Sequence, residues 1–169
     1  MKIRETGEIF MSEKLYPVKS TFVRIEKNDG FHNGVQSLLF EPVVSDDKSQ
    51  IVVIFMHSDG DFLAPHGAIE LAKRGYRALG AAVSNRDNPL DDKLLDVKAT
   101  IDYLRKVPGV NKVIIMGHSG GATLMSAYQN AAENGVKNFQ GPEKLIKCSD
   151  LGELPLADGV MLLDSNYGN

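Results

Sequence analysis

The sequence predicts an α/β protein with a mostly parallel sheet, an N-terminal antiparallel hairpin and helices on both faces of the sheet. From residue 51 onward, short continuous apolar runs alternate with segments of helical periodicity. This alternation is typical of parallel strands that are covered by helices. Before that point, two short alternating segments flank a turn signal at 28–30, and they predict the hairpin.

Length and composition indicate one globular domain, since 169 residues with 43% hydrophobic side chains are enough to bury a core. The 19 basic and 22 acidic residues leave a net charge of −3, so no basic excess points to nucleic acid or an anionic membrane. A single cysteine, Cys148, excludes an internal disulfide. No apolar run is long enough to cross a bilayer or to form a signal core. We therefore expect a cytoplasmic protein with no membrane or nucleic-acid partner.

The chain divides into a polar N-terminal arm, 1–20, and one core domain, 21–169. Apolar or alternating patterns predict strands at 21–26, 34–40, 51–56, 77–83, 113–116 and 160–163. Continuous apolar strands such as 51–56 are expected to be buried on both faces of the sheet. The mixed sheet should therefore contain about six strands.

Helices are predicted at 68–74 and 91–106, and a third follows residue 119 and ends at Gly135. Within 91–106, apolar residues recur at spacings of three and four. Acidic residues at the start of this segment and basic residues at its end agree with the helix dipole. Residues 134–156 contain several glycines and prolines, so this irregular segment is a candidate cap or lid over the site; the alternative is a plain surface loop.

Residues 117–121 read Gly-His-Ser-Gly-Gly, where the apolar run 113–116 ends and a helix begins. This is the G-x-S-x-G pattern in the strand–turn–helix context that it requires. Small Gly117 and Gly121 avoid collisions in a sharp turn that presents the Ser119 hydroxyl at the carboxyl edge of the sheet. The helix N-terminus would offer the N–H of Gly120 to an oxyanion. Ser119 is the candidate nucleophile; the alternative is a small-residue turn without chemistry.

A second candidate element is the loop 57–62, which follows the strand 51–56. A parallel strand beside the serine strand can place its loop over the nucleophile, where a backbone N–H completes an oxyanion hole. Ser58 and Asp59 are the candidate donors, and His57 would brace the loop through hydrogen bonds. The alternative is an ordinary polar loop.

On these motifs the chain resembles the N-terminal part of an α/β-hydrolase, from about residue 21 through the sixth strand. The resemblance depends on the elbow 117–121, on the order of strands and helices, and on the His57-led loop, where members often carry His-Gly. It implies a serine hydrolase without cofactor or metal that cleaves a small-molecule ester, lactone or thioester through an acyl-enzyme on Ser119. The alternatives are an acyltransferase on the same fold and a non-catalytic binding module.

The resemblance also implies a triad in the chain order serine, acid, histidine, yet no histidine follows Ser119. Asp164, at the end of the strand 160–163, is either the triad acid or a polar strand-end residue. His118 is expected to point into the sheet, and His57 to support its loop.

The remaining histidines are His32, expected in a turn, and His66, expected at or before the start of a helix. None of the four histidines is therefore the expected base. We expect the histidine, and with it the acid, to come from a C-terminal companion chain of the same gene product or from a segment that this sequence lacks.

Overall fold

A computed structural model describes residues 14–27, 34–144 and 148–165, together with two short strands that precede them. These strands, β1 (Lys2–Ile3) and β2 (Ile9–Phe10), pair with each other in antiparallel orientation. Part of the predicted N-terminal arm is therefore a small ribbon. His32, predicted in a turn, lies outside the described residues.

The main sheet has six strands, and three helices pack against it. The strands are β3 (Val18–Ile25), β4 (Val35–Pro42), β5 (Ile51–Met56), β6 (Arg77–Ala81), β7 (Lys112–His118) and β8 (Gly159–Leu163). The helices are α1 (His66–Lys73), α2 (Leu90–Leu104) and α3 (Gly120–Asn134). Single 3₁₀ turns lie at Asp47–Gln50 and Val136–Phe139.

The strand order in the main sheet is β3-β4-β6-β5-β7-β8. β3 and β4 form the predicted antiparallel hairpin at one edge, and β5 to β8 are mutually parallel. The carboxyl ends of β5, β6, β7 and β8 therefore share one edge of the sheet. Ligand sites in open parallel sheets form at that edge.

Each face of the sheet has its own apolar core. Helices α2 and α3 cover one face, where the fully buried Ile54, Leu79 and Tyr128 belong to the larger cluster. Helix α1 covers the other face, where Phe55 and Ala72 belong to the smaller cluster. This arrangement explains why the central strands are apolar at consecutive positions, as the sequence predicts.

The predicted fold class and the six-stranded mixed sheet are confirmed, while several element limits differ. β3 starts at Val18, within the predicted arm, because each of its residues pairs with one of β4 out to Pro42. α1 starts at His66, two residues before the predicted helix. β6 ends at Ala81 rather than residue 83, where the chain turns away from the sheet.

β8 is an edge strand with an apolar and accessible surface. Its four apolar residues after Gly159, which are Val160, Met161, Leu162 and Leu163, are 37–47% exposed, although they alternate between the two faces of the sheet. Long apolar edge strands normally receive a further strand or a covering segment. Separately, none of the helices among the described residues is long and apolar enough to cross a membrane.

Candidate active site

Ser119 occupies a sharp turn between β7 and α3. Its backbone has φ 52° and ψ −123°, a conformation that L-residues rarely adopt. Helix α3 begins at the next residue, Gly120, and the first turn is closed by a hydrogen bond from the Ala122 N–H to the Ser119 carbonyl at 3.0 Å. The Ser119 N–H donates to the Leu163 carbonyl of β8, also at 3.0 Å. The turn is therefore held by the helix on one side and by the edge strand on the other.

The glycines on either side of Ser119 allow this turn to form. A Cβ at Gly117 would overlap the carbonyl of Gly121, and a Cβ at Gly121 would lie 2.5 Å from the carbonyl oxygen of Met56. Both clashes would be with backbone atoms, which cannot shift without displacing a helix or a strand. The start of α3 therefore passes close to both β7 and the end of β5.

The loop 57–62 lies directly beside the elbow. β5 and β7 are hydrogen-bonded neighbours with Phe55 opposite Met116, so the chain leaves β5 next to the serine turn. A Cβ at Gly120 would lie 2.5 Å from the Ser58 hydroxyl and 3.7 Å from Cε1 of His57. The predicted oxyanion loop and the predicted elbow are therefore in contact at the carboxyl edge of the sheet.

His57 is fixed within this loop by two neighbours. Its ring is 20% exposed and lies 5.7 Å, centroid to centroid, from the ring of Phe62. Its Nδ1 is 2.6 Å from Oδ1 of Asp59 and 3.3 Å from the backbone nitrogen of the same residue. His57 thus contacts the residue whose N–H is one of the two candidate oxyanion donors.

The prediction that His118 points into the sheet is wrong. Its side chain is 48% exposed, and its Nε2 is 3.8 Å from Oδ2 of Asp164. His118 is the last residue of β7, and its side chain faces Asp164 at the carboxyl edge of the sheet instead of the interior. Asp164 follows β8 at the same edge with an 88% exposed side chain, which leaves its role as the acid a prediction.

A cavity of about 310 Å³ adjoins the oxyanion loop on the side away from β7. Its polar lining includes Gln36, Asp59, Asp61, Ser84, Asn85 and Arg86. The cavity lies at the carboxyl ends of β5 and β6, between the loops that follow them. The segment 84–89 reads Ser-Asn-Arg-Asp-Asn-Pro, which is rich in turn-forming residues, but nothing in the sequence indicates that this turn faces the oxyanion loop.

The wall of this cavity is anchored by a buried ion pair that the sequence did not predict. Lys27 Nζ lies 2.9 Å from Oδ1 of Asp96, and the two side chains are 5% and 0% exposed. The second oxygen of Asp96 accepts hydrogen bonds from the Ser84 N–H and hydroxyl at 2.8 and 3.0 Å. The only sequence signal is an acidic residue beside the apolar stripe of α2.

The segment 134–156 lies against the helical layer. The Tyr128 hydroxyl donates to the Pro155 carbonyl at 2.7 Å, and the Ser149 hydroxyl donates to Asp91 at the start of α2 at 2.8 Å. Partial burial raises the pKa of Asp91, but the hydrogen bonds from Ser149 and from nearby backbone N–H groups together outweigh it, so the pKa is lowered overall. The described contacts are with α2 and α3, and a lid function for the segment stays a prediction.

Among the described residues, no group of three or more histidine, cysteine or acidic side chains lies close enough together to hold a metal ion. No protein-family model matches the sequence, and no curated protein matches it.

Solved structures do match. Est1E from Butyrivibrio proteoclasticus superposes with a TM-score of 0.53 at 23% identity, over 66% of this chain and 45% of that one. Esterase B from Lactobacillus rhamnosis gives a TM-score of 0.58 at 18% identity, over 80% and 48%. A bacterial heroin esterase gives a TM-score of 0.58 at 15% identity, over 69% and 40%.

The chain spans less than half the length of each of these three proteins. At such low identity, the similarity concerns the fold. It agrees with the mixed six-stranded sheet and its antiparallel hairpin described above. The chain has the α/β-hydrolase fold.

Proposed function

We propose that this chain is the nucleophile-bearing part of a serine hydrolase that cleaves a carboxylic ester or a related acyl bond. The observation that carries the proposal is the backbone of Ser119, held at φ 52° between β7 and α3 beside the loop 57–62. Strained backbone of this kind persists where the surrounding structure enforces it, and it concentrates at functional sites. The esterases among the structural neighbours agree with this chemistry.

In the proposed reaction, the Ser119 oxygen attacks the carbonyl carbon of the substrate and transfers its proton to a histidine. The resulting oxyanion accepts hydrogen bonds from the N–H of Gly120 and from the N–H of Ser58 or Asp59. The carbon–oxygen bond to the alcohol then breaks, and the histidine returns the proton to the leaving group. Water hydrolyses the acyl-enzyme by the same steps and regenerates Ser119.

We assign the histidine and the acid to a companion segment outside this sequence. No histidine follows Ser119 in the sequence, and the exposed apolar side chains of β8 offer an unpaired edge on which a further strand can dock. β8 itself adjoins the elbow, because the Ser119 N–H donates to its last residue, Leu163. A strand docked on the other side of β8 would therefore lie one strand away from the serine turn, at the same sheet.

The test uses natively purified protein, with any associated chain retained. We expect a fluorophosphonate probe to label Ser119 and the protein to hydrolyse p-nitrophenyl butyrate. Ser119→Ala should abolish both activities and leave the circular dichroism spectrum unchanged. Ser20→Ala, an exposed serine of β3, is the matched control and should react like the wild type. Hydrolysis retained by Ser119→Ala would refute the assignment, and an unreactive wild type would favour a non-catalytic binding module.

A further inference from the structure

The two contacts of His57 with Asp59 compete for a single ring nitrogen. Nδ1 lies 2.6 Å from the Asp59 carboxylate and 3.3 Å from the Asp59 backbone nitrogen. To bond the carboxylate, Nδ1 must carry a proton and donate it. To bond the backbone N–H, Nδ1 must be unprotonated and accept. A neutral imidazole nitrogen can do only one of these at a time.

The distances decide which contact prevails. A separation of 2.6 Å to a carboxylate is that of a charge-assisted hydrogen bond, whereas 3.3 Å to an N–H exceeds the usual range for a good N–H bond. The structure therefore favours His57 with its proton on Nδ1, whether the ring is neutral or cationic. The Asp59 N–H is then left without its imidazole acceptor.

We propose that the Asp59 carboxylate is a positioning group, which holds the proton of His57 on Nδ1 and so keeps the Asp59 N–H available for the substrate oxyanion. This inference rests on the proposed function, because it assigns the second oxyanion donor of that reaction to Asp59. Asp59 would thus have two roles. Its backbone N–H would donate to the substrate oxyanion, and its carboxylate would accept from His57, which would otherwise accept a hydrogen bond from that same N–H.

The surroundings of His57 hold its imidazole next to the Asp59 carboxylate. The Phe62 ring on one side and the elbow at Gly120 on the other restrict rotation of the imidazole. A Cβ at Gly60 would lie 3.2 Å from Nδ1, so a glycine there leaves room for the carboxylate to approach. The Asp59 side chain is 63% exposed, so removing its carboxylate should leave the fold intact.

The test is nitrogen-15 NMR of the His57 ring in natively purified protein, at alkaline pH where an imidazole is neutral. We expect the wild type to carry its proton on Nδ1. In Asp59→Ala the carboxylate is gone, Nδ1 should accept the backbone N–H, and the proton should move to Nε2. Asp87→Asn, which alters an exposed carboxylate in the turn after β6, should keep the wild-type tautomer. A wild-type proton on Nε2, or no change in Asp59→Ala, would overturn the proposal.

The second readout is the rate at which a fluorophosphonate labels Ser119. Loss of one oxyanion donor slows comparable enzymes by about 10²–10³, so a captured donor in Asp59→Ala should slow labelling by about tenfold or more. A changed tautomer with an unchanged labelling rate would refute the link to the oxyanion. If the wild-type protein does not react with the fluorophosphonate, the proposed function is refuted. The tautomer of His57 would still be decided by the NMR spectra.

Discussion

The backbone N–H of Ser119 donates a hydrogen bond to the carbonyl oxygen of Leu163 across 3.0 Å. This bond joins the serine turn at the end of β7 to the last residue of β8. The residue after Leu163 is Asp164, and among the described residues only Ser119 and Asp164 combine a side chain with positive φ, at 52° and 48°. Each of these two neighbouring parallel strands is therefore followed by a residue with positive φ, and a backbone hydrogen bond joins the ends of the two strands.

Gly117→Ala should destabilise the protein strongly. The new Cβ would overlap the Gly121 carbonyl, and relieving that overlap requires β7 and α3 to separate. We expect a loss of about 3 kcal/mol or more in the free energy of unfolding, the upper range for overpacking. Gly135→Ala is the control for backbone strain without a clash, because its Cβ would meet open space while its φ of 74° and ψ of 171° cost about 1–3 kcal/mol for a residue with a side chain. Urea denaturation measures both, and equal losses would contradict the predicted clash.

Lys27→Met should lower the free energy of unfolding by about 3–5 kcal/mol, because it leaves the fully buried Asp96 carboxylate without its cation. Asp96 also fixes Ser84, so the turn beside the polar cavity should loosen. Lys98→Met disrupts a half-exposed i,i+4 pair with Asp102 and should cost less than about 1 kcal/mol. Thermal denaturation measures the free energy of unfolding of both variants. Similar losses in the two would show that the buried pair stabilises the fold no more than the half-exposed pair does.

Tyr128→Phe should change how stability depends on alkaline pH. Burial raises the pKa of the Tyr128 phenol above its ordinary value of 10.0, with a smaller contribution from Asp102. Above pH 10 the unfolded phenol loses its proton while the folded one keeps it, so the free energy of unfolding falls as pH rises.

The Tyr128→Phe variant should lose about 1 kcal/mol at neutral pH, together with the bond to Pro155, and show a weaker alkaline decline. Urea titrations at pH 8, 10 and 11 measure this difference. Some decline should persist, since the pKa values of Tyr16 and Tyr103 are also raised, the first by its bond to Asp46 and the second by burial. An unchanged slope would contradict the assignment to Tyr128.

The features that the sequence predicted well depend on contacts within a few residues or on strand periodicity. The elbow belongs to this group, because a Cβ at Gly117 would overlap the backbone of Gly121, only four residues later. The ion pair of Lys27 with Asp96 joins residues far apart in the sequence, so no local pattern could reveal it. The exposure of His118 depends on what packs at the end of β7, and its proximity to Asp164 joins residues far apart in the sequence, which periodicity does not specify.

Asp164→Asn separates the two roles that the sequence allows for this residue. Its carboxylate is 88% exposed and lies 3.8 Å from His118, a separation too long for a good hydrogen bond. We therefore expect Asp164→Asn to keep its kcat on p-nitrophenyl butyrate within a few-fold of the wild type, as for a polar strand-end residue.

A triad acid would behave differently, because converting it to the amide favours the wrong tautomer of the catalytic histidine and lowers kcat by about 10⁴. A loss of that size would move the acid from the companion segment to Asp164. His118→Gln controls for the neighbouring contact: it removes the imidazole that faces Asp164 and should leave kcat nearly unchanged. Equal large losses in both variants would instead indicate that the His118–Asp164 contact orders the elbow, which the circular dichroism and labelling rates of the two variants can verify.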